Sequence, residues 1–194
     1  SGNDCAETLA TYCAGSIENF AKMMNDKAKE LGALNSNFVN PHGLHNDNHY
    51  TTAYDLAIIS SYSMKNEIFS EIVAKQSVII PHITRNYNRK LVNKNKMLYN
   101  YEGSNGIKTG YTKKAGRCLV TSCTRDGLDL ISVVLNCPPM YEVSQNLLDN
   151  CFNNYKNYTQ EVLSRNLPIW SSYEPGSTFK IVTMATAVEE KKVD

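Results

Sequence analysis

The sequence has no apolar run approaching the roughly 20 residues that a bilayer-spanning helix needs. Its opening Ser1-Gly2-Asn3-Asp4 lacks the charged and apolar segments of a secretion leader. A spanning segment, a membrane anchor and a leader are therefore expected to be absent from this chain. Neither sign of charge is in excess, with 20 Lys and Arg against 19 Asp and Glu, so the net balance calls for neither nucleic acid nor an acidic membrane as the main partner. The basic run Arg85 to Lys96 is the local exception. A solvated loop or strand pair is the expected reading, against a patch that meets an anionic polymer. None of the six cysteines (Cys5, Cys13, Cys118, Cys123, Cys137, Cys151) belongs to a Cys-x-x-Cys pair, and none shares zinc spacing with a histidine. They are expected to be mostly buried small hydrophobes, although disulfides stay open in an oxidising compartment. His42, His45, His49 and His82 form no metal spacing and are expected in loops or at the surface. Asp55 and Glu71 are expected on helix surfaces. No repeat and no low-complexity tract is present.

What is present is enough for one sizeable core: 194 residues with 42% hydrophobic content. Cys5 to Ala14 and Ser16 to Leu31 predict two helices, the second capped by Ser16 and ended by Gly32. Phe38 to Tyr50 is turn-rich. Thr51 or Thr52 caps a third helix through Ser61, and Asn66 to Ala74 predicts a fourth. Ser77 to Ile80 is a short β-branched run, and the polar stretch to Met97 carries no clear assignment. Gly116 to Thr124 and Leu128 to Asn136, joined at Arg125-Asp126-Gly127, predict an antiparallel hairpin. Met140 to Tyr155 shows helical spacing, and Pro175-Gly176 precedes a predicted helix from Ser177 to about Lys191. The pattern is α+β.

Three short motifs carry chemistry. Ser177 and Lys180, three apart, would share one helical face, where the amine can activate the hydroxyl as a nucleophile. Ser1 and Asn3 would share one side of an extended or turned segment; the hydroxyl can relay a proton to a leaving amine and the amide can bind a substrate carbonyl. In Lys108-Thr109-Gly110 the lysine offers charge to a carboxylate, Thr109 a hydroxyl, and Gly110 room for a substrate backbone at the strand edge. Each tripeptide alone is weak, reading equally as a chance pair, a helix cap or an exposed strand end. Together they are the signature set of penicillin-binding proteins and class A β-lactamases.

Ser1-Gly2-Asn3-Asp4-Cys5-Ala6, Phe38-Val39-Asn40-Pro41-His42-Gly43-Leu44, His49-Tyr50-Thr51-Thr52-Ala53-Tyr54-Asp55-Leu56, Gly106-Ile107-Lys108-Thr109-Gly110-Tyr111-Thr112 and Ala115-Gly116-Arg117-Cys118-Leu119-Val120 fall in order. Over residues 1 to 156 they closely resemble the low-molecular-mass serine D-alanyl-D-alanine carboxypeptidases. The resemblance implies a penicillin-binding/serine β-lactamase-like fold, with an antiparallel sheet flanked by helices and a helical lobe. It also implies acyl transfer from a terminal D-Ala-D-Ala peptide of peptidoglycan to serine, inhibition by β-lactams, no metal or organic cofactor, no nucleic acid partner, and action outside the cytoplasmic membrane of a bacterium. A backbone donor to the oxyanion is implied near Tyr111 or Thr112.

The order of motifs departs from that family, in which Ser-x-x-Lys comes first. The N-terminal strands and the native nucleophile helix are expected to be missing. The stretch from Asn166 to Trp170 and that from Tyr173 to Ile181 resemble instead class B transpeptidases of the sporulation type. The expected organisation is a carboxypeptidase-like domain over 1–156 and a tail over 157–194 carrying Ser177 as nucleophile and Lys180 as base. Ser1 and Lys108 complete the catalytic set, while Asn3, Thr109, Gly110, Tyr111 and Thr112 bind substrate. The rival expectations are a non-catalytic peptidoglycan- or partner-binding module and a transpeptidase. A class A β-lactamase is disfavoured, because Glu30-Leu31-Gly32-Ala33-Leu34-Asn35 has one residue too many for the deacylating loop and ends a helix.

Overall fold

The computed structural model describes residues 2–156 and the strand Val182–Ala185. The helices are α1 (Asn3–Ala14), α2 (Ile17–Glu30), α3 (Ala53–Met64), α4 (Glu67–Ala74), α5 (Met97–Asn100) and α6 (Met140–Lys156). The strands are β1 (Ser77–Pro81), β2 (Asn88–Val92), β3 (Ser104–Thr112), β4 (Gly116–Arg125), β5 (Leu128–Val134) and β6 (Val182–Ala185).

Side-chain caps start three of the helices by satisfying a first-turn amide. Ser16 Oγ accepts from the Asn19 N–H at 3.1 Å, Thr52 Oγ1 from Asp55 at 3.0 Å and Asn66 Oδ1 from Phe69 at 3.0 Å. The β4–β5 connection turns on Asp126 (φ 52°) and Gly127 (φ 79°). Two successive left-handed residues match the twist of a tight hairpin, which explains why Asp-Gly stands there.

The strands β3-β4-β5-β6 form one antiparallel sheet and β1-β2 a separate hairpin. Period-two alternation gives the larger sheet two different faces. Leu119, Leu130 and Val134 pack under α6 against Leu148, Phe152 and Met140. Ile131 and Val133 face the other way, against Ala53 and Ala57 of α3. Each fully buried Leu or Val contributes about 1.5–3 kcal/mol relative to exposure. The small alanines let α3 lie close to the sheet. At Gly106 a Cβ would stand 3.2 Å from Val73 Cγ2, so the bare glycine relieves a tight approach of α4 to β3.

Several expectations need correction. Val182–Ala185 is a strand, not part of a helix from Ser177 to Lys191. It pairs with β5 over Ile131 to Val134, and a β-branched stretch beside an open sheet edge outweighs local helix preference. Cys123 and Cys137 are buried as expected, but Cys5 and Cys13 are exposed. Asp55 is fully buried rather than on a helix surface. Its Oδ2 accepts from the Asn35 N–H and the Ser36 hydroxyl, each at 2.7 Å, and so ties the chain after α2 to α3. Glu71 is exposed and paired with Lys75 at 2.8 Å.

Candidate active site

β3 closes the sheet on one side, and its outer edge pairs with no strand among the described residues. Lys108 stands opposite Val120, which stands opposite Val133, so all three alternate onto the α3 face. Lys108 Nζ donates to the Thr109 carbonyl at 2.5 Å. No carboxylate pairs with it among the described residues. The side chain is open to solvent, yet protein crowding around the ammonium, and then the charge of Lys94, hold its pKa below the ordinary lysine value of 10.5. Lys94 belongs to the basic run expected to be merely solvated, so its part at the site was missed. The signal available was the run itself, but not the fold that returns it to β3.

Gly110 shares the Lys108 face. Among the described residues a Cβ there would meet only Cys118 Cβ, at an ordinary 3.8 Å, so packing against them does not demand the glycine. Its bareness leaves the edge open to an approaching backbone. Thr109 lies on the opposite face, across from Leu119, and reaches a ligand only along the strand's outer edge. Tyr111 is 70% exposed. Thr112 Oγ1 accepts from the Ala115 N–H at 2.9 Å and so shapes the β3–β4 turn. Alternate residues of an edge strand aim their N–H outward, so one of Tyr111 and Thr112 presents an amide to a ligand.

Asn3 opens α1, with the extended Gly2 as N-cap and no side-chain cap. The helix thus begins two residues before the Cys5 start that the sequence suggests. Glu7, one turn on, pairs with His42 Nε2 at 3.0 Å. The Leu44 N–H donates to His42 Nδ1 at 3.0 Å, which leaves the proton on Nε2 toward Glu7. Farther along the same loop, Asp47 Oδ1 lies 3.1 Å from His45 Nε2 and 3.8 Å from Lys114 Nζ in the β3–β4 turn. The loop of residues 40–48 thus joins α1 to the end of β3. Among the described residues no hydrogen bond links Asn3 with Lys108.

The histidines divide. His45 is exposed, as expected, whereas the His42 side chain is only 10% exposed. His49 Nδ1 accepts from the Val39 N–H at 3.1 Å, and burial, then His42, lowers its pKa. Among the described residues no group of three or more His, Cys, Asp or Glu is placed to hold a metal ion. Ser1, Ser177 and Lys180 lie outside the described residues.

Residues 1–138 match the D-alanyl-D-alanine carboxypeptidase family, and residues 146–194 match the penicillin binding protein transpeptidase domain. The D-alanyl-D-alanine carboxypeptidase DacF of Bacillus subtilis is 36% identical over 163 residues, covering 81% of this chain and 41% of that protein. DacA of Haemophilus influenzae is 31% identical over 196 residues, covering 100% of this chain and 44% of the relative. The chain therefore spans less than half the length of these curated relatives. Among solved structures, the D-alanyl-D-alanine carboxypeptidase DacD from Francisella tularensis superimposes with a TM-score of 0.70 at 27% identity, covering 76% of this chain and 48% of that one. Penicillin-Binding Protein D2 from Listeria monocytogenes, in its cefotaxime-bound form, gives 0.67 at 31% identity, covering 76% and 60%. The α+β arrangement is thus that of the DD-peptidase fold.

Proposed function

The chain belongs to the D-alanyl-D-alanine carboxypeptidase family, and from that premise we propose that it is a penicillin-binding serine carboxypeptidase of peptidoglycan stem peptides, working outside the cytoplasmic membrane. The observation that carries this reading is Lys108, a cation without an acidic partner among the described residues, on an open strand edge next to the bare Gly110. A peptide lying along β3 would gain main-chain hydrogen bonds from the edge and place its terminal carboxylate at Lys108 and the Thr109 hydroxyl.

In the proposed reaction Ser177 Oγ attacks the carbonyl carbon of the D-Ala-D-Ala bond while Lys180 takes the hydroxyl proton. The oxyanion accepts hydrogen bonds from backbone amides, one of them at Tyr111 or Thr112. The C–N bond then breaks, Ser1 passes a proton to the leaving amine, and D-Ala departs, with Asn3 holding the remaining peptide carbonyl. Water hydrolyses the acyl-serine, and a β-lactam acylates the same oxygen. The division of labour follows the proposed organisation, with residues 1–156 supplying the substrate edge and 157–194 the nucleophile.

The register of the sheet supports this assignment. Thr183, Val133, Val120 and Lys108 form one row across the strands, so Thr183 stands about 14 Å from Lys108 at the usual strand spacing. The six-residue step from Ser177 to Thr183 spans at most about 20 Å. Lys108 thus falls within the serine's reach. Release of D-Ala from a synthetic peptide ending in Lys-D-Ala-D-Ala, lost in Ser177→Ala, tests the reading; no release by folded protein contradicts it. The transpeptidase match over residues 146–194 favours a second outcome, transfer to an amine. Adding an amine acceptor and weighing the product distinguishes the two.

A further inference from the structure

The β1–β2 hairpin is unlike the rest of the molecule. Every residue of both strands is exposed, so the hairpin stands away from the core with both faces open. Among the described residues, side-chain hydrogen bonds tie it down at its base. The Tyr99 hydroxyl donates to the Gln76 carbonyl at 2.6 Å, and Gln76 Nε2 donates to the Leu98 carbonyl at 2.7 Å.

Two features coincide on it. Ile83 at the tip is 100% exposed, Ile79 63% and Val92 58%. Exposed β-branched residues this concentrated mark a surface that meets something apolar. Cations are interleaved with them: the register sets Ile79 opposite Lys90 and Ile80 opposite Arg89, with Arg85 in the connecting turn. Between residues 72 and 101 fall six of the chain's 20 Lys and Arg and none of its 19 Asp and Glu, so the remainder of the chain is net acidic. The near-neutral total conceals this segregation.

From this juxtaposition we propose that the β1–β2 hairpin docks the chain on an anionic phospholipid surface, with Ile79 and Ile83 entering the headgroup–acyl boundary and Arg85, Arg89 and Lys90 pairing with lipid phosphates. The charge of the segment selects an anionic partner. The bare isoleucines select a lipid one over a soluble polyanion, because only a bilayer interface offers apolar volume beneath a layer of phosphate. The inference is independent of the catalytic assignment.

The test is co-sedimentation of the full chain with vesicles of phosphatidylcholine alone and of phosphatidylcholine mixed with phosphatidylglycerol. Binding to the mixed vesicles only, weakened by salt, is expected. At roughly 1 kcal/mol per cation near the surface, the Arg89→Glu/Lys90→Glu pair should weaken partitioning about 30-fold or more. Ile79→Ser/Ile83→Ser should weaken it with the charge intact. All four positions are exposed, so folding should persist, and circular dichroism checks it. No sedimentation of folded protein with anionic vesicles overturns the proposal. So does binding that survives the charge reversal, binding to a soluble polyanion that is indifferent to the isoleucine substitutions, or concentration-dependent dimerisation that buries the hairpin instead.

Discussion

Ser132 of β5 and Ser144 of α6 meet hydroxyl to hydroxyl at 2.5 Å, and the Ser144 hydroxyl donates to Thr121 Oγ1 at 3.1 Å. All three are buried. This short chain of hydroxyls fixes α6 on β4 and β5, and Thr121 is in turn the cross-strand partner of Ile107 in β3. Ser144→Ala strands two buried hydroxyls and should destabilise the fold by about 2–3 kcal/mol. Ser132→Ala/Ser144→Ala together should cost less than the sum of the single changes, because the second removes a group already unpartnered. Urea unfolding midpoints check both.

Two glycines with nearly the same backbone angle should respond differently. Gly127 (φ +79°) has open space where a Cβ would go, whereas at Gly103 (φ +77°) that atom would lie 2.4 Å from the Thr124 carbonyl oxygen. Gly127→Ala should cost about 1–2 kcal/mol for the left-handed conformation alone. Gly103→Ala should cost about 3 kcal/mol or more, since backbone cannot move aside as a side chain does. Thermal melts of the two variants give the comparison.

Thiol reactivity should sort by burial. Cys5 and Cys13 are exposed, so iodoacetamide at pH 8 should label them in the native protein. Cys123 should resist until the protein unfolds, because burial pushes its thiol up to about 11 and shields it. Peptide mass mapping with and without urea reads the order.

Lys108 gives the pH dependence. The cation is the form that holds a carboxylate, and its pKa lies below 10.5 through crowding first and Lys94 second. Acylation by a penicillin should therefore fall as pH rises through that lowered value. Lys94→Ala should move the alkaline limb upward, and Lys108→Arg should remove it, since arginine stays charged. Lys108→Gln should slow acylation about 10- to 100-fold, the worth of one charge-assisted hydrogen bond. A limb unmoved by Lys94→Ala would contradict the assignment.

What the sequence revealed follows from how local each signal is. Ser16, Thr52 and Asn66 announce their helices because a cap acts within three residues, and Asp126-Gly127 announces its turn for the same reason. β2 was not legible: both its faces meet solvent, so no hydrophobic alternation marks it. β6 was misread as helix because its strand identity comes from the edge of β5, a long-range partner. Lys108, Thr109 and Gly110 stand out in the sequence as a candidate site because chemistry and spacing coincide in one strand. Lys94, the bonded His42 and the buried Asp55 were not, because each acts through a neighbour that only folding supplies.

The central claim is that one molecule unites a tail serine with the edge strand bearing Lys108. Labelled penicillin, followed by peptide mass mapping of the adduct, tests it most directly. A stable acyl adduct on Ser177, abolished by Ser177→Ala and slowed by Lys108→Gln, is expected. Absence of any adduct on folded protein, or an adduct on Ser177 indifferent to Lys108, would contradict it.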